Sequence, residues 1–195
     1  MQNQKLIAAT KPVTIVLSGG GSGGHITPVL SVARELKRLR PDVRLTYIGH
    51  KGDKTAEMVR DDPSIDQVYG IAAGKLRRYH GESLLRQLLS IPTQLRNIRD
   101  LFYLLIGTYQ SWRILRKLRP SVIFAKGGFV VVPVVWAARI LKIPYGMHDS
   151  DTVPGLANRL IASHAVWHAT GMPVSFYPYP PDSTTHVGIP YDHRF

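Results

Sequence analysis

Apolar residues change their spacing several times along the chain, and each change predicts a new element of secondary structure. Residues 13–17 form a short β-branched run that ends in a glycine cluster, and the apolar positions after it recur at helical spacing. Thr27 and Pro28 are typical of a helix N-cap and a first helical position, so we expect the first helix to begin there. The start of the chain therefore predicts a strand, a glycine turn and a helix.

The same order of elements returns further along the chain. Strands are predicted at residues 43–48, 67–71, 122–125 and 144–147, and helices at 55–60, 83–118 and 130–141. Pro92 is expected to open a second helix within the long helical segment, because an interior proline costs about 3 kcal/mol. Residues 173–181 are rich in proline and aromatic residues and predict an ordered loop. This alternation predicts one α/β domain over residues 1–195, a Rossmann-like parallel sheet with helices on both faces.

The segment between Lys75 and Arg119 is basic and strongly apolar, with ten basic residues against two acidic ones. Seven apolar residues at alternating spacings of four and three predict a core-facing stripe: Ile91, Leu95, Ile98, Phe102, Leu105, Tyr109 and Trp112. A second set fits a membrane interface that contains anionic lipid: Lys75, Leu76, Arg77, Arg78, Leu84, Leu85, Leu88 and Leu89. We therefore expect a peripheral contact with an anionic membrane surface.

Composition narrows the classes of partner. The chain has 195 residues, 25 lysines and arginines and 13 acidic residues, and its formal net charge of +12 favours anionic partners. Nucleic acid is one such partner, but the sequence shows no zinc-finger spacing, aromatic RNA-binding motif or clear helix-turn-helix, so none is expected. Cysteine is absent, which excludes thiolate catalysis and cysteine-ligated zinc, and no histidine–carboxylate spacing predicts a metal site.

Targeting signals are also missing from the sequence. The first residues lack the apolar stretch and cleavage site of a secretory signal, which favours a cytoplasmic protein. The most apolar stretch, residues 129–147, contains Arg139 and Lys142 and is shorter than the roughly 20 residues that a spanning helix needs. We therefore expect no transmembrane anchor.

The glycine cluster after the first predicted strand is the first candidate for a binding site. Residues 19–24 contain five glycines, more than a turn requires, and open parallel sheets bind ligands at the carboxyl ends of their strands. Backbone amides at the following helix start would favour an anion. The cluster also satisfies G-x-G-x-x-G, so an NADP-binding Rossmann module is an alternative, with Lys51 near the 2′-phosphate. The acidic residue that would bind the ribose hydroxyls is missing from residues 47–51.

Four side chains could carry acid–base chemistry at this edge of the sheet. His25 follows the glycine cluster, where an imidazole could act as a base near neutral pH or could simply satisfy neighbouring backbone groups. His148 and Asp149 follow a later predicted strand, so they could face the same cleft. Asp149 or Asp151 could instead cap the next helix, where the helix dipole favours a carboxylate.

Three motifs of the chain resemble those of the MurG family of glycosyltransferases, in the same order and spacing. They are residues 20–28, in which a histidine and then a proline follow the glycines, residues 127–129, and residues 148–159. The resemblance covers essentially the entire chain and implies the N-terminal half of a GT-B glycosyltransferase, with a hinge near residues 187–195. It also implies a C-terminal donor domain outside this chain, either in cis or in trans as in split transferases.

The sequence departs from the family's usual pattern at a few positions. The third motif usually reads His-Glu-Gln-Asn, whereas this chain has His148-Asp149-Ser150-Asp151, which places a carboxylate where an amide is usual. Phe129 stands in place of a tyrosine, and Ile189 in place of an asparagine before Pro190. These changes alter groups that would contact the acceptor.

The resemblance implies an activity and a set of site residues. The activity is inverting transfer of N-acetylglucosamine from UDP-N-acetylglucosamine to lipid I, a polyprenyl-diphosphate-linked muropeptide, in peptidoglycan biosynthesis at the cytoplasmic face of the plasma membrane. The missing domain would bind most of the donor, so this half is expected to bind no cofactor and to be inactive alone. The implied catalytic residues are His25 and Asp149. The implied substrate-binding residues are Gly20, Gly21, Ser22, Gly23, Gly24, Gly127, Gly128, Phe129, His148, Asp151 and Asn158.

Overall fold

The computed structural model describes residues 13–21, 23–53, 56–75 and 91–191. The strands are β1 (Thr14–Ser18), β2 (Arg44–His50), β3 (Gln67–Ile71), β4 (Val122–Ala125), β5 (Tyr145–Asp149), β6 (Trp167–Thr170) and β7 (Thr184–His186). The helices are α1 (Gly23–Leu39), α2 (Ala56–Arg60), α3 (Ile91–Leu118), α4 (Val131–Ile140) and α5 (Leu156–Ala162). Two short 3₁₀ turns, Val174–Phe176 and Pro181–Ser183, lie within the predicted loop and directly after it.

All strand pairs in the 7-stranded sheet are parallel, in the order β3-β2-β1-β4-β5-β6-β7. The strand order reverses between β1 and β4, where Ser18 pairs with Ala125 at the carboxyl ends. A ligand crevice is expected at such a switch point. The predicted Rossmann-like fold is confirmed, and β6 and β7 extend the sheet beyond the strands that the sequence predicted.

The core lies on both faces of the sheet. Val16 and Leu17 are fully buried but belong to different clusters, because successive residues of a strand point to opposite faces. Leu17 packs in the cluster that contains residues of α1 and α2, whereas Val16 packs in the cluster that contains residues of α3, α4 and α5. The prediction of helices on both faces is therefore confirmed.

The first helix starts earlier than predicted. Helix α1 begins at Gly23 rather than at Thr27 or Pro28, and Pro28 lies inside it. Proline has no backbone N–H, so the helix loses one internal hydrogen bond at that position. The earlier start places His25 within the first turn of the helix.

The core-facing stripe predicted for α3 is wrong. Leu95, Ile98, Phe102, Leu105 and Tyr109 are between 53% and 62% exposed, whereas Trp112 packs partly against the core. The side-chain position of Ile91 lies outside the described part of the chain. The helix instead buries a narrow strip of mostly small or polar residues: Thr93, Asp100, Leu104, Gly107, Ser111 and Leu115. The spacing correctly predicts one apolar face on the helix, but it does not predict whether that face packs against the core or is exposed. We call this face the apolar face of α3: Leu95, Ile98, Leu101, Phe102, Leu105, Ile106 and Tyr109.

Most of the predicted membrane set lies outside the described residues. Of that set, Lys75 is described and exposed. The others fall outside: Leu76, Arg77, Arg78, Leu84, Leu85, Leu88 and Leu89. Ser22 and residues 192–195 of the predicted hinge also fall outside. Across the described ranges, no helix combines the length and the apolar character needed to cross a membrane.

Candidate functional site

The two glycine loops touch each other at the switch point of the sheet. Gly20, Gly21, Gly127 and Gly128 all have positive φ angles, of 154°, 88°, 102° and 83°. A methyl group on Gly128 would overlap the Gly20 carbonyl oxygen, and one on Gly21 would lie 2.5 Å from Cε1 of Phe129. Only glycine allows both this backbone conformation and this close approach. Gly20 and Gly21 of the first motif therefore lie against Gly128 and Phe129 of the second.

His25 lies next to this contact, in the first turn of α1. A methyl group on Gly128 would lie 3.3 Å from Cδ2 of His25. Nδ1 of His25 is buried and has no hydrogen-bond partner within the described ranges. Burial lowers the pKa of His25, and the Lys126 ammonium lowers it further, whereas the carboxylates of Asp151 and Asp149 oppose the shift. His25 is therefore neutral near pH 7, which is the form that can accept a proton.

His148 and Asp149 are the last two residues of β5, and both are buried. With Nε2 protonated, His148 donates a hydrogen bond to the Gly188 carbonyl oxygen at 2.9 Å. Asp149 Oδ2 accepts a hydrogen bond from the Tyr179 hydroxyl at 2.8 Å, and its Oδ1 accepts one from the Asp151 N–H at 3.2 Å. The carboxylate of Asp149 is therefore held in one orientation.

The alternative that Asp149 or Asp151 caps the next helix is wrong. Helix α5 begins after Gly155, which has no side chain to cap it. Arg159 instead contacts the backbone just before the helix, where its Nε donates a hydrogen bond to the Pro154 carbonyl oxygen at 3.1 Å. The two aspartates are thus available to influence the site rather than the helix terminus.

Lys126 is a site residue that sequence reasoning missed. Its side chain is 1% exposed, and its Nζ donates a hydrogen bond to the Ser150 hydroxyl at 2.7 Å. Burial lowers the pKa of Lys126, and the carboxylates of Asp149 and Asp151 oppose that shift. The sequence did contain a signal for this residue, because Lys126 stands directly between an apolar strand and a pair of glycines. The side chain extends from the residue before the second glycine loop to Ser150 of the third motif, and it places a buried amine there.

Asn158 connects the third motif to the second glycine loop. It lies in α5, as predicted, and its amide oxygen would be 3.0 Å from a methyl group on Gly127. That oxygen is buried and unpartnered in the described structure, as are the Nδ1 atoms of His25 and His148. A buried polar atom without a partner costs about 1–3 kcal/mol, so several such atoms together favour a polar ligand. Hydroxyl groups of a ligand are the kind of partner that such atoms require, and a neutral imidazole is chemically able to accept a proton.

The buried imidazole of His148 predicts acid destabilisation of the domain. Burial lowers the pKa of His148 from 6.5 to about 4, although its bond to Gly188 opposes the shift. Between these values the unfolded chain binds a proton that the folded chain does not. The free energy of unfolding should therefore fall by up to about 1.4 kcal/mol per pH unit as the pH drops from about 6.5 towards 4. Urea unfolding at a series of pH values would measure this slope.

His148→Gln keeps an N–H donor for the Gly188 carbonyl and should reduce the slope, with the shift of His25 accounting for part of the remainder. His164→Gln is the matched control, because His164 is exposed. An unchanged slope in His148→Gln would contradict the assignment.

The fold and the site together define the N-terminal, Rossmann-like domain of a GT-B glycosyltransferase. Residues 15–167 match the N-terminal domain of glycosyltransferase family 28. The chain belongs to that family.

Curated relatives and solved structures agree with this assignment. The chain is 38% identical over 176 residues to a Shouchella clausii protein, "UDP-N-acetylglucosamine--N-acetylmuramyl-(pentapeptide) pyrophosphoryl-undecaprenol N-acetylglucosamine transferase", covering 90% of this chain and 45% of that protein. It is 41% identical over 150 residues to the Clostridium perfringens protein of the same name, covering 77% and 37%. The crystal structure of Acinetobacter baumannii MurG shares the fold, with a TM-score of 0.68 at 22% identity over 93% of this chain and 47% of that one.

The predicted resemblance to the MurG family is confirmed by these relatives. The chain spans less than half the length of each of the two curated relatives.

Proposed function

We propose that this chain is the acceptor-binding half of a transferase that moves N-acetylglucosamine from UDP-N-acetylglucosamine to a polyprenyl-diphosphate-linked muropeptide. The observation that carries the proposal is the contact between two glycine loops beside His25, whose buried Nδ1 atom has no partner among the described residues. This site lies at the switch point of the sheet. The curated relatives of the chain are named for that transfer. The donor is bound mainly by a second domain, in cis or in trans.

His25 is the proposed base. The acceptor hydroxyl oxygen bonds to the anomeric carbon of the donor sugar, and the bond from that carbon to UDP breaks with its electron pair leaving on the diphosphate. The hydroxyl proton passes to the imidazole, which burial and Lys126 keep neutral beforehand. Asp149 and Asp151 favour the charged form of His25 and so stabilise the imidazolium that results.

The apolar face of α3 supports a peripheral contact with a membrane. Seven large apolar side chains on one helix are exposed together, whereas soluble proteins rarely expose an apolar patch of this kind without a partner. Exposed basic residues lie on the same helix, among them Arg96, Arg113 and Lys117. An apolar face beside cations suits a bilayer surface with anionic lipid. This contact would hold the site close to a lipid-linked acceptor.

Binding to anionic nanodiscs tests both parts of the proposal. Discs that carry the undecaprenyl-diphosphate-linked muropeptide should bind the chain more tightly than acceptor-free discs. His25→Ala should reduce that acceptor-dependent increment by about tenfold, because it removes a buried polar contact, and should leave binding to acceptor-free discs unchanged. Phe102→Asp combined with Leu105→Asp should weaken binding to both kinds of disc.

His164→Ala is the control for His25→Ala, since it removes an exposed imidazole far along the chain from the glycine loops. Equal binding to discs with and without the acceptor would contradict the proposed acceptor site and would support only the membrane contact. Unchanged binding of the Phe102→Asp/Leu105→Asp variant to acceptor-free discs would remove the membrane role of α3.

A further inference from the structure

A pocket of about 480 Å³ lies beside the glycine loops, between the carboxyl ends of β2 and β3 and helix α3. Phe129 forms the wall between the pocket and the loops. On one side its ring packs against Gly21, and on the other it meets the ring of His50 edge-on, with the centroids 5.5 Å apart. The pocket therefore adjoins the candidate site without being part of the contact between the loops.

The pocket is basic. Lys51, Lys75 and Arg99 line it against a single carboxylate, Asp100, which accepts a hydrogen bond from Arg99 Nη2 at 2.9 Å. Neither lysine has an ion-pair partner among the residues that the structure describes, and both are exposed. His50 adds a buried Nδ1 atom that is also unpartnered there. Ammonium and guanidinium groups at one concave surface favour an anion with several oxygens, such as a phosphate.

The glycine loops are less suited to such an anion. The N–H of Gly21 already donates to a carboxylate oxygen of Asp53 at 3.2 Å. The carboxylates of Asp149 and Asp151 also act on His25. A diphosphate placed at the loops would meet three carboxylates and one ammonium group, that of Lys126, whereas in the adjoining pocket it would meet an excess of cations.

The other edge of the pocket passes into the apolar face of α3. Arg99 and Tyr103 line the pocket, and residues three or four positions apart are neighbours on a helix surface. Leu95, Phe102 and Ile106 stand at those spacings and are 62%, 61% and 47% exposed. The surface therefore runs from the glycine loops, through the basic pocket, to an exposed hydrocarbon face.

We propose that this pocket binds the diphosphate of a lipid-linked sugar, with the sugar at the glycine loops and the start of the hydrocarbon chain on the apolar face of α3. The inference rests on the proposed function for its choice of ligand, because a polyprenyl-diphosphate-linked sugar carries these three parts in this order. Lys51 and Lys75 are its binding residues, and Phe129 separates the sugar from the diphosphate.

Calorimetric titration with farnesyl diphosphate tests the pocket directly. Lys51→Gln combined with Lys75→Gln should weaken binding by about tenfold or more, since it removes two charge-assisted contacts. Inorganic pyrophosphate should lose affinity in the same variant, whereas farnesol binding should not change. Amide chemical shifts near Lys51, Lys75 and Tyr103 should move when farnesyl diphosphate is added.

Arg44→Gln combined with Lys142→Gln is the matched control, because it removes the same number of positive charges from exposed residues that do not line the pocket. If both double variants lost the same affinity for farnesyl diphosphate, the loss would come from net charge alone, and the proposed pocket would be contradicted. Unchanged affinity in Lys51→Gln/Lys75→Gln, with a loss in His25→Ala, would place the diphosphate at the glycine loops. That result would overturn the pocket and leave the proposed function intact. Failure of the nanodisc test, with farnesyl diphosphate binding still weakened in Lys51→Gln/Lys75→Gln, would contradict the proposed function and leave the pocket as a diphosphate site without its proposed lipid-linked sugar.

Discussion

Replacing Gly107 with alanine is expected to destabilise the domain by about 3 kcal/mol, even though alanine is the better helix former. At an exposed position inside a helix, the same change would stabilise the protein by roughly 1 kcal/mol. Gly107 faces the core, however, and a methyl group there would overlap the carbonyl oxygen of Ala72 and lie 3.3 Å from Cβ of Pro133. Because the overlap is with the backbone, α3 would have to move away from the end of β3. Urea unfolding of the two proteins would measure the difference.

Gly155→Ala is the matched control for Gly107→Ala. No atom lies within 4 Å of a methyl group at Gly155, and its φ of −64° is ordinary for alanine. Its free energy of unfolding should fall by no more than about 1 kcal/mol, because the only expected cost is that alanine is a poorer N-cap than glycine. If Gly107→Ala were as stable as Gly155→Ala, the close approach of α3 to the sheet would be contradicted.

Replacing Gly128 with alanine is expected to remove acceptor-dependent binding to nanodiscs and to destabilise the domain by about 3 kcal/mol. Its φ of 83° alone costs an L-residue about 1–2 kcal/mol. The added methyl group would also overlap the Gly20 carbonyl oxygen and so push the two glycine loops apart. His25, which lies against the same point, would be displaced with them. Nanodisc binding and urea unfolding of the same preparation would separate the loss of the site from the loss of the fold.

Gly52→Ala separates backbone strain from steric overlap. Gly52 has a φ of 84°, almost the same as Gly128, but no atom lies within 4 Å of a methyl group there. It should lose about 1–2 kcal/mol and keep its acceptor-dependent binding. Equal effects of Gly52→Ala and Gly128→Ala on binding would show that the contact between the loops is not needed.

Local sequence patterns were sufficient for the order of elements and for the first glycine loop. The apolar run at residues 13–17 supplies most of β1 (Thr14–Ser18), and the glycines follow that strand directly. The spacing of the apolar residues in α3 was equally clear, yet it does not distinguish a face covered by the core from one that is exposed. Gly107 and Ser111 were the overlooked sign, since small residues at that spacing let a helix approach a strand closely.

Other parts of the site depend on contacts between distant segments. Tyr179 orients Asp149 across 30 positions of the chain, and Lys126 reaches Ser150 across 24. Neither pairing leaves a local pattern in the sequence. Its position after a predicted strand made His148 a candidate, and the resemblance to a known family added Asn158. Neither argument could show that both residues carry a buried unpartnered atom.

The hydrogen bond from His148 to the carbonyl oxygen of Gly188 links the end of β5 to the backbone just beyond β7. Gly188 also donates its N–H to the Thr170 carbonyl oxygen, so this short segment is hydrogen-bonded to the carboxyl ends of both β5 and β6. A displacement of the backbone after β7 must therefore stretch or break the bond to the imidazole. The position of this segment and the hydrogen bond of the His148 ring therefore change together. The imidazole ¹⁵N chemical shifts of His148 would report any displacement of the backbone after β7.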